Sequence, residues 1–291
     1  MIKMSYPIKE LPLLVQKNIL VQADHDDFLN FCSYPQLAPL CGTNANAQQV
    51  YQERCERLFS DELLKYKETT ISWRDFYYIL HRLISDVDTG ELTDEHNLEY
   101  YMEDKNSLLL FKLIKEIRTD FVATLGEDLV DLAIELRNYN VLTWLIVDNN
   151  IHIMTINPLR LVQIYLYAPF ETIDLLISKG KSPRQGDFDW IIRYGRFDIL
   201  KQIYEKYNLL PGIDALYHAL KYSHNDIFIW LYEHLLLLPD NAIRLALENS
   251  NLEIVKFLVD RGILPTLEEI KVFARGEVRA WLLADPSRYT L

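Results

Sequence analysis

The side chains best suited to chemistry in this chain are its seven histidines and three cysteines, and their spacing is uninformative for catalysis. His25, His81, His96, His152, His218, His224 and His234 are scattered. His218 and His224 are six residues apart, which puts them on different faces of a helix. Asp24-His25-Asp26-Asp27 is an acidic turn with a single imidazole. Cys32, Cys41 and Cys55 lack the matched, closely spaced partners that structural zinc requires. There is no phosphate-cradling glycine loop, dinucleotide fingerprint, nucleophile elbow or zincin helix. The expectation is therefore no enzyme, no bound metal and no cofactor.

Charge points toward recognition instead. The formal net charge is −12, which argues against a nucleic-acid partner, because phosphate binding needs a basic surface. Within this acidic chain, Lys179, Lys181, Arg184, Arg193, Arg196 and Lys201 gather in one stretch. They read as a candidate patch that would steer an acidic partner. Tyr139, Tyr194 and Tyr222, at expected turns, are candidates for a binding face. No apolar run approaches the roughly 18–20 residues of a membrane span. The N-terminal MIKMSYPIKELPLL lacks the basic, apolar and small-residue order of a secretory signal. Reduced intracellular thiols are the matching expectation for the three cysteines.

The elements that must position these residues are repeated helix pairs. Asp240–Pro265 reads as an apolar helix, a polar Asn-Ser-Asn turn, a second apolar helix and a closing Gly262. Anchored on Leu258, similar residues recur at Leu231, Ile203, Leu176 and Ile146, at spacings of 27, 28, 27 and 30. Twelve or thirteen residues ahead of each stands a small or aliphatic residue: Ala246, Ala219, Ile191, Ile164 and Ala133. A period in this range marks stacked helix pairs that bury a shared core. Trp230, Phe257 and Trp281, each next to the anchor column, are expected to pack between neighbours. Sustained strand alternation is absent, so the fold class is all-α. Three zones follow: a helical domain over 1–85, an acidic connector over 86–106, and a solenoid over 107–291 of five or six degenerate repeats of roughly 27 residues.

The repeat zone resembles the ankyrin family. Ala246 stands at the inner-helix alanine, Ser250-Asn251 at the usual Gly-His turn, Glu253–Leu258 on the second helix and Gly262 at the closing glycine. The Thr-Pro-Leu-His start of that family reads Asn241-Ala242-Ile243-Arg244 here. The period is also shorter than 33, implying trimmed β-hairpin fingers. The last unit, 266–285, is expected to cap the stack.

The N-terminal zone resembles the F-box. Leu11-Pro12 is followed eight residues on by Ile19-Leu20 and eight further by Asp27-Phe28, with Tyr51 where the F-box usually has tryptophan and Cys55 near its common cysteine. The resemblance implies a helical hairpin in which Asp27 caps the helix begun by Phe28. Leu11, Pro12, Leu14, Ile19, Leu20, Asp27 and Phe28 would then dock a Skp-type adaptor of a cullin–RING ubiquitin ligase. F-box-like and degenerate ankyrin-repeat segments on one chain, together with Ser72-Trp73-Arg74-Asp75-Phe76-Tyr77, are similar to proteins of giant DNA viruses. The function so implied is that of a substrate receptor in the cytoplasm or nucleus, the repeats holding a target protein. A scaffold or decoy that sequesters a host protein without ligase function is the competing reading. In that case the N-terminal hairpin is a cap.

Overall fold

The computed structural model describes residues 11–93, 95–235 and 237–290. Among these residues the regular elements are all helical, and the chain divides into two compact units, 1–151 and 152–291. No helix of the described residues is long and apolar enough to cross a membrane.

The first unit contains α1 (Leu13–Gln22), α2 (His25–Cys32), α3 (Ala45–Leu58), α4 (Asp61–Leu64), α5 (Trp73–Asp88), α6 (Glu95–Glu103), α7 (Ser107–Ile117), α8 (Phe121–Glu135) and α9 (Tyr139–Val147). Local sequence sets the helix starts. Asp24, Asn44 and Ser72 accept hydrogen bonds from Asp27, Ala47 and Asp75 N–H respectively, satisfying donors that a first helical turn leaves without partners. The expected Asp27 cap is thus displaced: Asp24 performs that role, and Asp27 lies inside the first turn of α2.

Two further expectations fail in this unit. Residues 86–106 are not a solvated connector, because α5 runs to Asp88 and α6 buries Leu98, Tyr101 and Met102. Those three recur at i, i+3 and i+4, an apolar stripe hidden in an acidic composition. The compact units instead divide between Ile151 and His152, so α8 and α9 belong with the N-terminal helices. Cys32 and Cys41 are joined by a disulfide across nine residues, against the expectation of free thiols; Cys55 is free and buried. A 3-10 turn over Ala38–Cys41 brings Cys41 back to the end of α2.

The second unit is a run of helix pairs: α10 (Pro158–Tyr167) with α11 (Phe170–Ser178), α12 (Gln185–Arg193) with α13 (Phe197–Tyr207), α14 (Asp214–Lys221) with α15 (Asn225–Leu235), α16 (Ala242–Glu248) with α17 (Leu252–Val259), and α18 (Leu267–Val272) with α19 (Gly276–Leu283). The first helices pack in sequence, α10 on α12, α12 on α14, α14 on α16 and α16 on α18, while α11 packs on α13 and α17 on α19. All ten residues of the two repeat columns, from Ala133 and Ile146 to Ala246 and Leu258, are at most 2% exposed. That burial is the reason the columns exist. The chain's end returns to the last pair: Thr290 N–H donates to Pro265 O, and Leu267 N–H donates to Thr290 O.

Candidate interaction surfaces

The turns inside four helix pairs, α8–α9, α12–α13, α14–α15 and α16–α17, follow one chemical rule. At Ala133, Ile191, Ala219 and Ala246 the carbonyl accepts from the N–H five residues on, at 2.8–2.9 Å. The carbonyls of Ile134, Ile192, Leu220 and Leu247 accept from the N–H three residues on. This nested pair of bonds forces one residue into the left-handed region. It is occupied by Arg137, Gly195, Ser223 and Ser250, with φ of 57°, 67°, 60° and 54°. The same geometry ends α11 and α17, where Gly180 and Gly262 take φ of 91° and 80° beside the anchor carbonyls of Leu176 and Leu258. The repeat columns therefore serve both the core and the turns.

The residue after each left-handed position reaches back to the preceding helices. Asn138 Nδ2 donates to Met102 O (2.8 Å) and Ser107 Oγ (2.7 Å). The Arg196 guanidinium donates to Leu166 O and to Ala168 O (3.2 Å). His224 Nε2 donates to Arg193 O (3.0 Å), and Asn251 Nδ2 donates to Asn225 Oδ1 (2.5 Å). These rungs saturate helix-end groups that would otherwise need water. They also rewrite the basic cluster, since Arg196 is a structural rung, further tied to Asp198 at 3.2 Å.

The remaining five cations stand on different elements. Arg184 immediately precedes α12 and Arg193 ends it, so the nine-residue helix separates them by roughly 13 Å. Lys201 lies on α13 with its ammonium 3.9 Å from the Phe197 ring centroid. Lys179 is exposed and Lys181 half-buried where α11 ends. Arg193 joins aromatic residues, its guanidinium 5.0 Å from the ring centroids of both Trp190 and Tyr222. The column aromatics pack as expected: Trp230 against Phe197 and Tyr204, and Phe257 against Phe228 and Tyr232.

In the first unit, the candidate adaptor-binding residues divide sharply. Leu20 and Phe28 are fully buried, and Leu11 and Ile19 are half-buried. Pro12 and Asp27 are exposed, and Leu14 is 78% exposed, beside Leu13 and Val15 at 50% and 42%. Leu20 and Phe28 thus belong to the core, while an apolar turn at the start of α1 faces outward. The apolar residues of α1 are spread around the helix among Gln16, Lys17, Asn18 and Gln22 rather than gathered on one stripe, so one face can be buried while another remains exposed.

Holding that arrangement is Arg54, which sequence inspection missed. It is fully buried and donates to Leu20 O, to Ala23 O (2.9 Å), to Asp24 O (3.3 Å) and to Tyr77 Oη (2.7 Å). Its guanidinium lies 3.9 Å from the Phe28 ring centroid. A cation at the closing carbonyls of α1 complements the helix dipole, and a planar five-donor fork suits several carbonyls at once. Burial pulls its pKa below the ordinary arginine value, opposed by the Tyr77 hydrogen bond. An arginine on an otherwise apolar helix stripe (Ala47, Val50, Tyr51, Arg54, Cys55) was the only available signal.

Around Arg54 stand Tyr51, whose hydroxyl donates to Cys41 O (2.9 Å), and the stacked rings of His25 and His81, 4.0 Å apart. Burial lowers both imidazole pKa values, His81 to about 4. Burial also raises the Cys55 thiol to about 12, leaving it protonated and unreactive. The Ser72–Tyr77 segment is accounted for locally: Ser72 caps α5, Trp73 lies over Lys67, and Phe76 and Tyr77 are core. The adjoining cleft of about 670 Å³ is lined by Gln48, Lys67 and Ser72. Each is already engaged, with Arg74 N–H, Glu68 O and Asp75 respectively. Among the described residues, no group of three or more His, Cys, Asp or Glu side chains could hold a metal ion.

Comparison with protein families, curated proteins and solved structures returns no match.

Proposed function

We propose that this chain is a non-catalytic adaptor whose helix pairs hold a target protein and whose N-terminal helices dock a second protein. In its fullest form it is the substrate receptor of a cullin–RING ligase with a Skp-type adaptor. The observation that carries the docking role is the outward apolar turn Pro12-Leu13-Leu14-Val15 on a helix whose other end is anchored by Leu20 and Arg54. Exposed aliphatic side chains on a rigid helix suit insertion into a partner's groove. Proximity between target and ubiquitin-charged enzyme would supply the catalytic gain.

The test is capture of purified Skp-type adaptor by the wild-type chain and by Leu13→Asp/Leu14→Asp. Both side chains are half or more exposed, so the variant is expected to keep its fold while losing capture. No capture by the wild type removes the ligase reading.

The disulfide between Cys32 and Cys41 favours the competing reading, a sequestering scaffold with no ligase role. Such bonds persist in oxidising surroundings and are rare where cytosolic ligases work. Under this reading the exposed turn of α1 contacts no adaptor, and the helix pairs alone carry the function.

A further inference from the structure

The turns ending α12 and α14 repeat one chemistry, Arg193-Tyr194-Gly195 and Lys221-Tyr222-Ser223, 28 residues apart. The two helices pack directly on one another, so the turns are neighbours. Arg193 and Lys221 are exposed, and Tyr194 is 53% exposed. Trp190 on α12 and Tyr217 on α14 are half-buried beside those cations. The Trp190 ring lies 6.0 Å from Tyr194, and His218 stacks on Tyr222 at 6.4 Å. Arg193 bridges the two helices between Trp190 and Tyr222, while the Lys221 ammonium lies 5.7 and 5.8 Å from Tyr217 and Tyr222.

What these cations lack is an anion. Among the described residues neither Arg193 nor Lys221 has a carboxylate ion pair, in contrast to Arg196 with Asp198 and Arg244 with Glu248. Asp189 on α12 accepts from Gln185 Nε2 at 3.2 Å. Trp, Tyr and Arg together are the composition of binding hot spots, because rigid rings give large contact area at little entropic expense. In a chain of net charge −12, a general acidic surface would be repelled, so complementary charge at this one place sets position as well as affinity.

We propose that Trp190, Arg193, Tyr194, Tyr217, Lys221 and Tyr222 form the docking surface for an extended acidic segment of a partner protein. Packed helices lie about 8–10 Å apart, and an extended chain advances about 3.3 Å per residue. Because side chains of an extended segment alternate faces, carboxylates that reach Arg193 and Lys221 together are two residues apart, about 6.6 Å, and the flexible stems of the two cations make up the remainder. This assignment rests on the reading of the helix pairs as the target-holding part of an adaptor, and it names the chemistry of the target.

The test is selection of a random peptide display library on the purified full chain, followed by fluorescence anisotropy with the enriched peptides. The expected result is enrichment of Asp or Glu pairs at that spacing. Binding is expected to weaken by more than about tenfold, about 1.4 kcal/mol, in Arg193→Glu/Lys221→Glu and to fall with added salt. Trp190→Ser, which changes no charge, is expected to weaken binding as well and covers a charge-reversed chain that misfolds. No enrichment, enrichment without acidic excess, or equal binding to both variants overturns the proposal. Displacement of the peptides by oligothymidylate at equal affinity also overturns it, assigning the surface to single-stranded nucleic acid. Failure here leaves Leu13/Leu14-dependent adaptor capture untouched, so the two proposals fail separately. Peptides that bind equally to both variants place the target elsewhere on the helix pairs.

Discussion

Replacing Arg54 with methionine isolates the buried cation that ties α1, α2, α3 and α5 together. The substitution keeps the aliphatic stem's volume and removes every donor. Ala23 O retains Arg57 at 2.9 Å, Asp24 is exposed so that water can serve its carbonyl, and Tyr77 Oη retains His25 Nδ1 at 3.0 Å. Leu20 O is the acceptor left without a partner, which costs about 1–3 kcal/mol. Loss of the cation over the Phe28 ring adds up to about 2 kcal/mol in a desolvated setting. Relief of guanidinium desolvation offsets part of this. The net expectation is a loss of about 3 kcal/mol. For a unit of this size, about 2–4 °C per kcal/mol converts that to a fall in melting temperature of roughly 6–12 °C. Thermal unfolding followed by near- and far-UV circular dichroism measures it, with Arg57→Met as the exposed control. Tyr77→Phe combined with Arg54→Met should be less damaging than the sum, by about 0.5 kcal/mol or more, because the two share a bond. A fall below about 2 °C, or an equal fall for Arg57→Met, would refute the assignment of Arg54 as the keystone.

Other tests follow from the turns, the imidazoles and the thiols. Ser223→Gly and Ser250→Gly should each raise stability by up to about 1 kcal/mol, since glycine carries no penalty at positive φ. Gly195→Ala should lower it, because its Cβ would also meet His224 Cε1 at 2.7 Å; denaturant midpoints separate the three. His81 is neutral when folded, with its pKa lowered to about 4 from 6.5, so its contribution is complete above about pH 6.5 and lost as pH falls toward 4. Subtracting the pH profile of His81→Phe should leave that window, and a flat difference contradicts it. Under non-reducing conditions a thiol reagent should find no cysteine in the native chain and only Cys55 after unfolding; three reactive thiols without reductant would remove the Cys32–Cys41 bridge. Reduction of that short loop should cost about 2–3 kcal/mol in thermal stability.

Repetition was legible from sequence because burial is periodic. Ala133, Ile191, Ala219 and Ala246 must be apolar to enter the core, and their carbonyls close the turns, so one constraint is written at the same place in these four pairs. Gly262 and Gly180 were legible as helix ends for the same reason, since positive φ selects residue type directly. The acidic segment over 86–106 misled because its average composition conceals the Leu98, Tyr101 and Met102 stripe, and burial depends on position along the helix rather than on the mean.

The basic cluster illustrates what composition cannot carry. Six cations close in sequence take different roles: Arg196 is a structural rung, Arg193 and Lys201 lie against aromatic rings, and Arg184 and Arg193 stand at opposite ends of α12. Likewise Leu14 and Leu20 look equivalent as letters, yet one is outside and the other is core. By itself the sequence determined the helical class, the places of the repeat columns and most turns, because core burial recurs along the columns and one backbone turn geometry recurs in four of the pairs. Tertiary structure alone decided the role of Arg54, the closure of Cys32 on Cys41, the split of the basic cluster and the pairing of Arg193 with Tyr222. Those depend on which distant segments meet, and a single sequence carries no record of that.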